Sequence, residues 1–280
     1  MYFKFVIQTN NTNYNDFRGV IKINITIDSL NINYIKKGEG ENVLIIPGWG
    51  TTIDVYMPLI DYISSYATVY CLDMPGFGKS QEPTESFNVD KYVDFIQKFI
   101  KSQNITKLNL IGHSNGGRII IKLMNKKDLD FSVDKIVLIG SAGIVHKKSS
   151  TQKFKIKTYK TCKHILNLKP IKLLFPNLLT KLQNHFGSTD YKNASPVMRE
   201  TLVKLVNEDL TKYLPNINVP TLLIWGENDT QTPISDAKII ENLIPDSALI
   251  NVKGCSHYVF LENPSYVNIV INNFFSGGAK

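Results

Sequence analysis

A serine in a glycine-rich segment is the clearest candidate for chemistry in this sequence of 280 residues. Ser114 stands in the segment LIGHSNGGR, with one glycine two positions before it and another two positions after it. The segment follows an apolar stretch typical of a buried strand and precedes a stretch with helical spacing. This G-x-S-x-G pattern in a strand–turn–helix context predicts a nucleophilic serine at a sharp turn, with its hydroxyl at the positive end of a helix.

A serine hydroxyl is a poor nucleophile at neutral pH and needs a base that is itself oriented by an acid. Among the 5 histidines, His257 lies in a loop just after the last expected strand and should reach the same sheet edge as Ser114. The acid is expected in the loop after residues 220–225, which offers Asp229 and Glu227. We prefer Asp229, because Glu227 lies nearer the strand end and has less reach. The predicted triad is therefore Ser114, Asp229 and His257.

Four further residues near these positions have chemically active side chains. His146 is a candidate for lining the substrate pocket, and His113, at the variable position of the serine turn, is expected to pack. Cys255, two residues before His257, is expected to be a small buried thiol, because no sharp turn presents it as a nucleophile. Arg118, one turn into the helix after the serine, is expected to pair with a carboxylate or to pack.

The elements that must position these residues alternate between strands and helices. Apolar stretches indicate strands, and stretches with helical spacing lie between and after them. The pattern predicts an α/β fold with a mostly parallel sheet, helices on both faces, and ligand sites at the carboxyl ends of the strands. The strands are expected at residues 20–27, 32–35, 42–46, 67–72, 107–111, 135–139, 220–225 and 248–252, and the helices at 55–64, 89–101, 116–124, 234–243 and 264–275.

One stretch interrupts the alternation. Residues 144–218 contain no strand candidate, are rich in lysine up to residue 181, and carry apolar residues at helical spacing. We interpret the stretch as a helical cap inserted over the carboxyl edge of the sheet, and a helical excursion on the surface is the alternative. The expected domains are therefore a first part of the core at 1–143, the cap at 144–218, and a second part of the core at 219–280.

Composition limits the partners and the cellular setting. The net charge of +8 comes from 29 lysines and only 3 arginines, which argues against nucleic-acid binding because phosphate and base recognition prefer arginine. Three widely spaced cysteines exclude a disulfide framework and a cysteine-rich zinc site, and no apolar run is long enough to cross a membrane. We therefore expect a cytoplasmic protein that acts on a small molecule, without a metal, a nucleic-acid partner or a membrane partner.

Three further segments, together with the serine turn, resemble the α/β-hydrolase fold superfamily from about residue 32 to residue 275. IPGWG at 46–50 matches the position of the family's His-Gly loop, with Pro47 in place of the usual histidine. LDMPGFGKS at 72–80 is similar to the family's D-x-x-G-x-G-x-S loop. GCSH at 254–257, followed by Pro264, is similar to the family's final histidine segment. The second segment also resembles a phosphate-binding loop, but Asp73 replaces the first glycine and would repel phosphate.

The resemblance implies an eight-stranded sheet and a cofactor-independent serine hydrolase. Backbone N–H groups of Trp49 and Asn115 would form an oxyanion hole, and Gly48 and His146 would contact the substrate. The expected substrates are esters or thioesters with small to medium apolar acyl groups. A C–C bond hydrolase, a haloperoxidase or perhydrolase, and a proline iminopeptidase share the same motifs, and a non-catalytic small-molecule receptor is the alternative outside enzymes.

Overall fold

Eight short runs rich in β-branched and other apolar residues, with one short polar segment at the edge, form a nine-stranded sheet in this protein. The structure is a computed structural model, and it describes residues 14–16, 20–146, 157–158, 161–162, 165–166 and 188–277. The strands are β1 (Tyr14–Asp16), β2 (Val20–Ile27), β3 (Leu30–Lys37), β4 (Glu41–Ile46), β5 (Ala67–Leu72), β6 (Lys107–His113), β7 (Ser132–Ile139), β8 (Thr221–Gly226) and β9 (Ser247–Val252).

The order of the strands places a crossover point in the middle of the sheet. The order is β1-β2-β3-β5-β4-β6-β7-β8-β9. The strands from β5 to β9 in this order pair in parallel, whereas β1, β2 and β3 pair antiparallel at one side. The chain leaves β4 for β5 on one side and returns to β6 on the other, and ligands of α/β sheets bind outside such a switch point.

Helices cover both faces of the sheet. In the order of the described residues they are α1 (Ile53–Ile63), α2 (Val89–Ser102), α3 (Asn115–Leu123), α4 (Thr189–Asn193), α5 (Pro196–Asn207), a 3-10 helix (Thr211–Asn216), α6 (Ile234–Leu243), α7 (Val259–Glu262) and α8 (Pro264–Ser276). Leu44 and Ile46 of β4 pack with α2 and α3 on one face. Val43 and Ile45 pack with α1 and α8 on the other. This burial of both faces explains the continuous apolar run at β4.

The predicted fold class is confirmed, with one strand more than expected. All eight predicted strands are present, and β1 adds a ninth at the edge, paired with β2 from Tyr14↔Lys22 to Asp16↔Val20. The segment Tyr-Asn-Asp of β1 has no apolar alternation. Main-chain hydrogen bonds alone can add a short strand to an open edge, so no sequence pattern predicts it.

The predicted cap falls mostly outside the described residues. Of residues 144–218, the structure describes 144–146, 157–158, 161–162, 165–166 and 188–218. Within this described part lie α4, α5 and the 3-10 helix, and no strand occurs there. The boundaries of the cap at 144 and 218 stay a prediction.

The start of α3 passes very close to its neighbours, which explains the glycines around Ser114. A methyl group added at Gly116 would lie 1.9 Å from the backbone oxygen of Ile46, and one added at Gly117 would lie 2.0 Å from Oγ of Ser141. Real carbon atoms never approach so closely. The two glycines therefore allow the start of α3 to lie against the last residue of β4 and against Ser141, above the switch point.

We expect Gly117→Ala to lower the free energy of unfolding by about 1–3 kcal/mol, the usual cost of forcing a methyl into filled space. The cost should be smaller in a Ser141→Gly background, because the contact is made mainly with the Ser141 side chain. Gly116→Ala is the matched control, since its methyl meets backbone atoms that Ser141→Gly does not remove. Urea unfolding gives the free energy of unfolding of each glycine variant with and without Ser141→Gly, and the difference is the coupling between the two positions. An equal cost of Gly117→Ala in both backgrounds would contradict this packing.

Candidate active site

The backbone at Ser114 holds an unusual conformation at the junction of β6 and α3. Its φ is 50° and its ψ is −111°, a region that costs about 1–3 kcal/mol for a residue with a side chain. Hydrogen bonds keep it there: its N–H donates to the oxygen of Ile139 at 3.0 Å, and its oxygen accepts from the N–H groups of Gly117 and Ala142 at 3.1 and 2.9 Å. The half-buried Ser114 thus stands at the N-terminus of α3, where the helix dipole favours negative charge.

A buried carboxylate and a buried imidazole form a pair near this turn. Asp229 lies in the loop after β8, and its Oδ2 is 2.8 Å from Nδ1 of His257, in the loop after β9. The Asp229 side chain is 0% exposed and the His257 side chain 5%. Burial acts to raise the pKa of Asp229, but the hydrogen bonds from His257 and Thr232 outweigh it and hold the pKa below its ordinary value. Asp229 is therefore an ionised carboxylate that accepts the Nδ1–H of His257.

Thr232 completes the surroundings of this carboxylate, and the sequence analysis missed it. Its hydroxyl lies 2.8 Å from Oδ2 of Asp229 and 3.0 Å from the oxygen of Gly140. The N–H groups of Gln231 and Thr232 donate to Oδ1 at 2.8 and 3.0 Å. The sequence did contain a signal for this contact. An aspartate in a loop commonly accepts the N–H groups of residues two and three positions later in the chain, which forms an Asx-type turn. The rival acid Glu227 is exposed and accepts instead from the N–H of Gly254 at 3.1 Å.

The predicted site residues other than Asp229 line one cavity of about 300 Å³ at the carboxyl edge of the sheet, namely Gly48, Trp49, Ser114, Asn115, His146 and His257. Asp229 does not line the cavity itself and is connected to it by its hydrogen bond to His257. Within the described residues no hydrogen bond joins Oγ of Ser114 to His257, and such bonds often tighten only when substrate binds. The described part of the chain has no cluster of three or more metal-ligating side chains.

Trp49 and Asn115, the two predicted oxyanion-hole residues, have backbone N–H groups that make no hydrogen bond within the described residues. The neighbouring N–H of Gly48 is engaged, since it donates to the Tyr56 hydroxyl at 2.8 Å. Thr51 holds the same loop by donating its hydroxyl to the oxygen of Gly48 at 2.9 Å. Tyr56 and Thr51 thus brace a loop in which Pro47 contributes no N–H.

His113 connects this loop to the loop of His257. Its Nε2 lies 3.2 Å from the backbone oxygen of His257, which can only accept, so Nε2 carries the proton. Its Nδ1 therefore accepts from the Tyr56 hydroxyl at 2.9 Å. Burial and the nearby His257 lower the pKa of His113 to about 3, although the bond to the carbonyl opposes the shift. His113 is buried as expected, and in addition it is a neutral bridge between two loops that sequence reasoning did not connect.

Three other candidates have environments that differ in polarity. His146 Nε2 lies 2.6 Å from Oδ1 of Asp236, a buried residue in the first turn of α6. Cys255 is buried, and burial raises the pKa of its thiol, which keeps it protonated. Arg118 packs in the interior, one of the two outcomes expected for it. Within the described residues its side chain donates one hydrogen bond, to the backbone oxygen of Glu208 at 2.8 Å, and pairs with no carboxylate there.

The family follows from a match over most of the chain. Residues 41–264 match the model of the alpha/beta hydrolase fold, so the chain belongs to the α/β-hydrolase family. The chain is 24% identical over 256 residues to 2-hydroxy-6-oxo-6-(2'-aminophenyl)hexa-2,4-dienoic acid hydrolase of Metapseudomonas resinovorans, covering 82% of each chain. It is 23% identical over 270 residues to monoacylglycerol lipase abhd6-A of Xenopus laevis, covering 86% of this chain and 77% of the lipase.

Solved structures show the same fold. A bromoperoxidase from Bacillus anthracis superimposes with a TM-score of 0.70 and 22% identity, covering 91% of this chain and 99% of that chain. At this level of identity the likeness extends to the fold and not to the reaction. No helix among the described residues is both long and apolar enough to span a bilayer.

We expect Tyr56→Phe to lower the free energy of unfolding by about 1–3 kcal/mol, because it leaves buried hydrogen-bonding groups of Gly48 and His113 without a partner. The ring itself would keep its stacking on Phe260 at 5.1 Å. Tyr62→Phe on the same helix is the matched control, since within the described residues the Tyr62 hydroxyl makes no hydrogen bond, and its effect should stay within about 0.5 kcal/mol. Urea unfolding compares the two, and equal effects would rule out the bridging role of the Tyr56 hydroxyl.

The neutral state of His113 predicts a loss of stability in acid. Its folded pKa of about 3 lies below the ordinary 6.5, so the unfolded chain binds the proton first. The contribution of neutral His113 to the free energy of unfolding is complete above about pH 6.5 and is lost as the pH falls from there towards 3. We expect urea-unfolding free energies to decrease over this window in the wild type and less steeply in His113→Gln. Parallel pH profiles for the two proteins would refute the prediction.

Proposed function

We propose that this chain is a serine hydrolase in which Ser114 is the nucleophile, His257 the general base and Asp229 the orienting acid. The observation that supports it most is the buried Asp229–His257 pair, which opens onto the same cavity as a serine held at a strained turn. Strain of this kind is retained where a side chain must be presented. A buried carboxylate on Nδ1 fixes the tautomer that leaves Nε2 free to accept a proton.

The reaction follows from this arrangement in two steps. Oγ of Ser114 attacks the acyl carbonyl carbon while Nε2 of His257 accepts its proton, and the leaving group departs with that proton. Water then repeats the attack on the acyl-enzyme and regenerates Ser114. The free N–H groups of Trp49 and Asn115 support an oxyanion hole, because such donors stabilise the charge that develops on the carbonyl oxygen. One such donor typically lowers the activation free energy by about 3 kcal/mol.

The walls of the cavity support an acyl group of small to medium size. Leu202, Leu205 and Val206 of α5 line it together with Ile144, and an apolar wall with a few polar groups is typical of a small-molecule site. We therefore propose an ester or thioester substrate, with Gly48 and His146 among the residues that contact it. The free state of all three cysteines supports a reducing, cytoplasmic setting.

A C–C bond hydrolase is the second candidate. It is favoured by the similarity to the dienoic acid hydrolase of Metapseudomonas resinovorans, whereas the monoacylglycerol lipase favours ester chemistry. Both reactions need a nucleophile, a base and an oxyanion hole, so the site alone supports either. Measuring kcat/KM on 4-nitrophenyl esters of graded chain length beside a 6-oxo-dienoic acid discriminates them, since the true substrate class should give the higher value.

We expect Ser114→Ala to reduce kcat/KM on 4-nitrophenyl esters by about 10⁴-fold or more, and Asp229→Asn to reduce it by about 10⁴-fold because the imidazole loses its orienting charge. Glu227→Gln is the matched control and should change kcat/KM by less than about threefold, because Glu227 is exposed and bonded to Gly254.

A fluorophosphonate probe tests the nucleophile directly. Mass spectrometry should locate the label on Ser114 of the wild type and find none in Ser114→Ala. An unlabelled wild type would exclude an activated serine, and a large effect of Glu227→Gln with none of Asp229→Asn would show that the wrong acid was chosen.

A further inference from the structure

A buried arginine lines the same cavity as Ser114. Arg118 is 5% exposed and lines the cavity together with Ser114 and His257. It stands one helical turn after the serine, and its N–H approaches the oxygen of Ser114 at 3.4 Å. Residues four apart share one face of a helix, and side chains lean towards the N-terminus. Arg118 and Ser114 therefore face the same cavity.

The charge of Arg118 has no ion-pair partner within the part of the chain that the structure describes. Of its five N–H donors, one bonds to the backbone oxygen of Glu208 at 2.8 Å. The Glu208 carboxylate bonds to Lys122 instead, and that of Asp209 bonds to Thr211 at 2.6 Å. Arginine is almost never fully buried unless it is paired, because removing a charge from water is costly.

Arg118 stays charged in spite of its burial. Burial lowers its pKa to about 10, and the charges of Glu208 and Asp209 partly oppose that shift. At neutral pH the side chain therefore remains a cation with unused donors.

Two carboxylates, those of Asp190 and Asp236, also line the cavity. Asp236 is bonded to His146 at 2.6 Å, and the charge of Asp190 acts on Tyr258. Neither is among the charges that shift the pKa of Arg118. The Arg118 wall of the cavity therefore favours an anion, and a planar fork of donors suits a carboxylate.

We propose that Arg118 binds a free carboxylate carried by the acyl group of the substrate, which makes the preferred substrate a monoester of a short dicarboxylic acid. This inference rests on the proposed hydrolase function. One helical turn, about 5.4 Å, separates the backbone of Arg118 from that of Ser114, so a few carbon atoms suffice between the carboxylate and the scissile carbonyl. Ser114 displaces the alcohol, which leaves with the proton from His257, and water then releases the dicarboxylic acid.

The experiment compares two esters of the same dicarboxylic acid, one with a free carboxylate and one with that carboxylate capped by a methyl group. The substrates are 4-nitrophenyl hydrogen glutarate and methyl 4-nitrophenyl glutarate, and nitrophenol release is corrected by the rate with Ser114→Ala. We expect wild-type kcat/KM to favour the free acid by about tenfold or more, the effect of one charge-assisted hydrogen bond. In Arg118→Met the ratio should fall to about one, and Arg118→Lys should keep part of it.

Lys126→Met is the matched control. Lys126 lies just beyond the end of α3, bonds to Asp94 at 2.9 Å, and does not line the cavity. Its loss removes a neighbouring cation without touching the site, so the ratio should stay at the wild-type value. A change of long-range electrostatics alone would lower the ratio in both variants and would overturn the proposal.

Two further results would also overturn it. A wild-type ratio near one refutes the carboxylate site whatever the variants do, and so does an Arg118→Met variant that keeps the wild-type ratio. The two proposals remain distinguishable: labelled Ser114 with equal rates on both esters removes only the carboxylate site. Unlabelled Ser114 removes the hydrolase function and this inference with it.

Discussion

The left-handed backbone of Ser114 is the constraint on which the rest of the site depends. A residue with a side chain is strained at a φ of 50°, and the conformation persists because the end of β7, the loop after it and the first turn of α3 hold the N–H and the oxygen of Ser114. That arrangement requires α3 to begin in contact with the last residue of β4, which Gly116 permits, and with Ser141 after β7, which Gly117 permits. The same contact sets the N-terminus of α3 beside the loop at 47–50, so one close approach defines the floor of the cavity.

Burial then forces the polar groups around the turn to pair, and their pairing fixes the loops. Asp229, Thr232, His113 and Tyr56 are all buried, and a buried polar group without a partner costs about 1–3 kcal/mol. Each therefore has a defined orientation before any ligand arrives. A site whose dipoles are already oriented does not have to reorganise as charge develops, which is the main source of catalysis in the proposed mechanism.

Arg118 is buried like these polar groups, but its charge is not paired among the described residues. This difference distinguishes the walls of the cavity from its floor. The floor consists of backbone turns and hydrogen-bonded side chains that α/β hydrolases of different activity can share. The walls contain apolar side chains of α5 and the buried cation of Arg118, most of whose donors have no partner among the described residues. Because a fold does not determine a substrate, differences between relatives of 22–24% identity are expected to lie in such wall residues.

The sequence by itself determined the α/β class, the eight main strands, the turn at Ser114 and the loops that hold Asp229 and His257. These features follow from short-range patterns, namely apolar periodicity and glycine spacing, and from the rule that parallel strands end at one edge. The sequence already favoured Asp229 over Glu227. Only the tertiary structure decided that Thr232 bonds to the Asp229 carboxylate, that Tyr56 bonds to His113 across 57 residues, and that His113 reaches the oxygen of His257 across 144 residues. The physical reason is that the direction of a buried side chain is set by the distant segments packed against it, and no local pattern encodes those contacts.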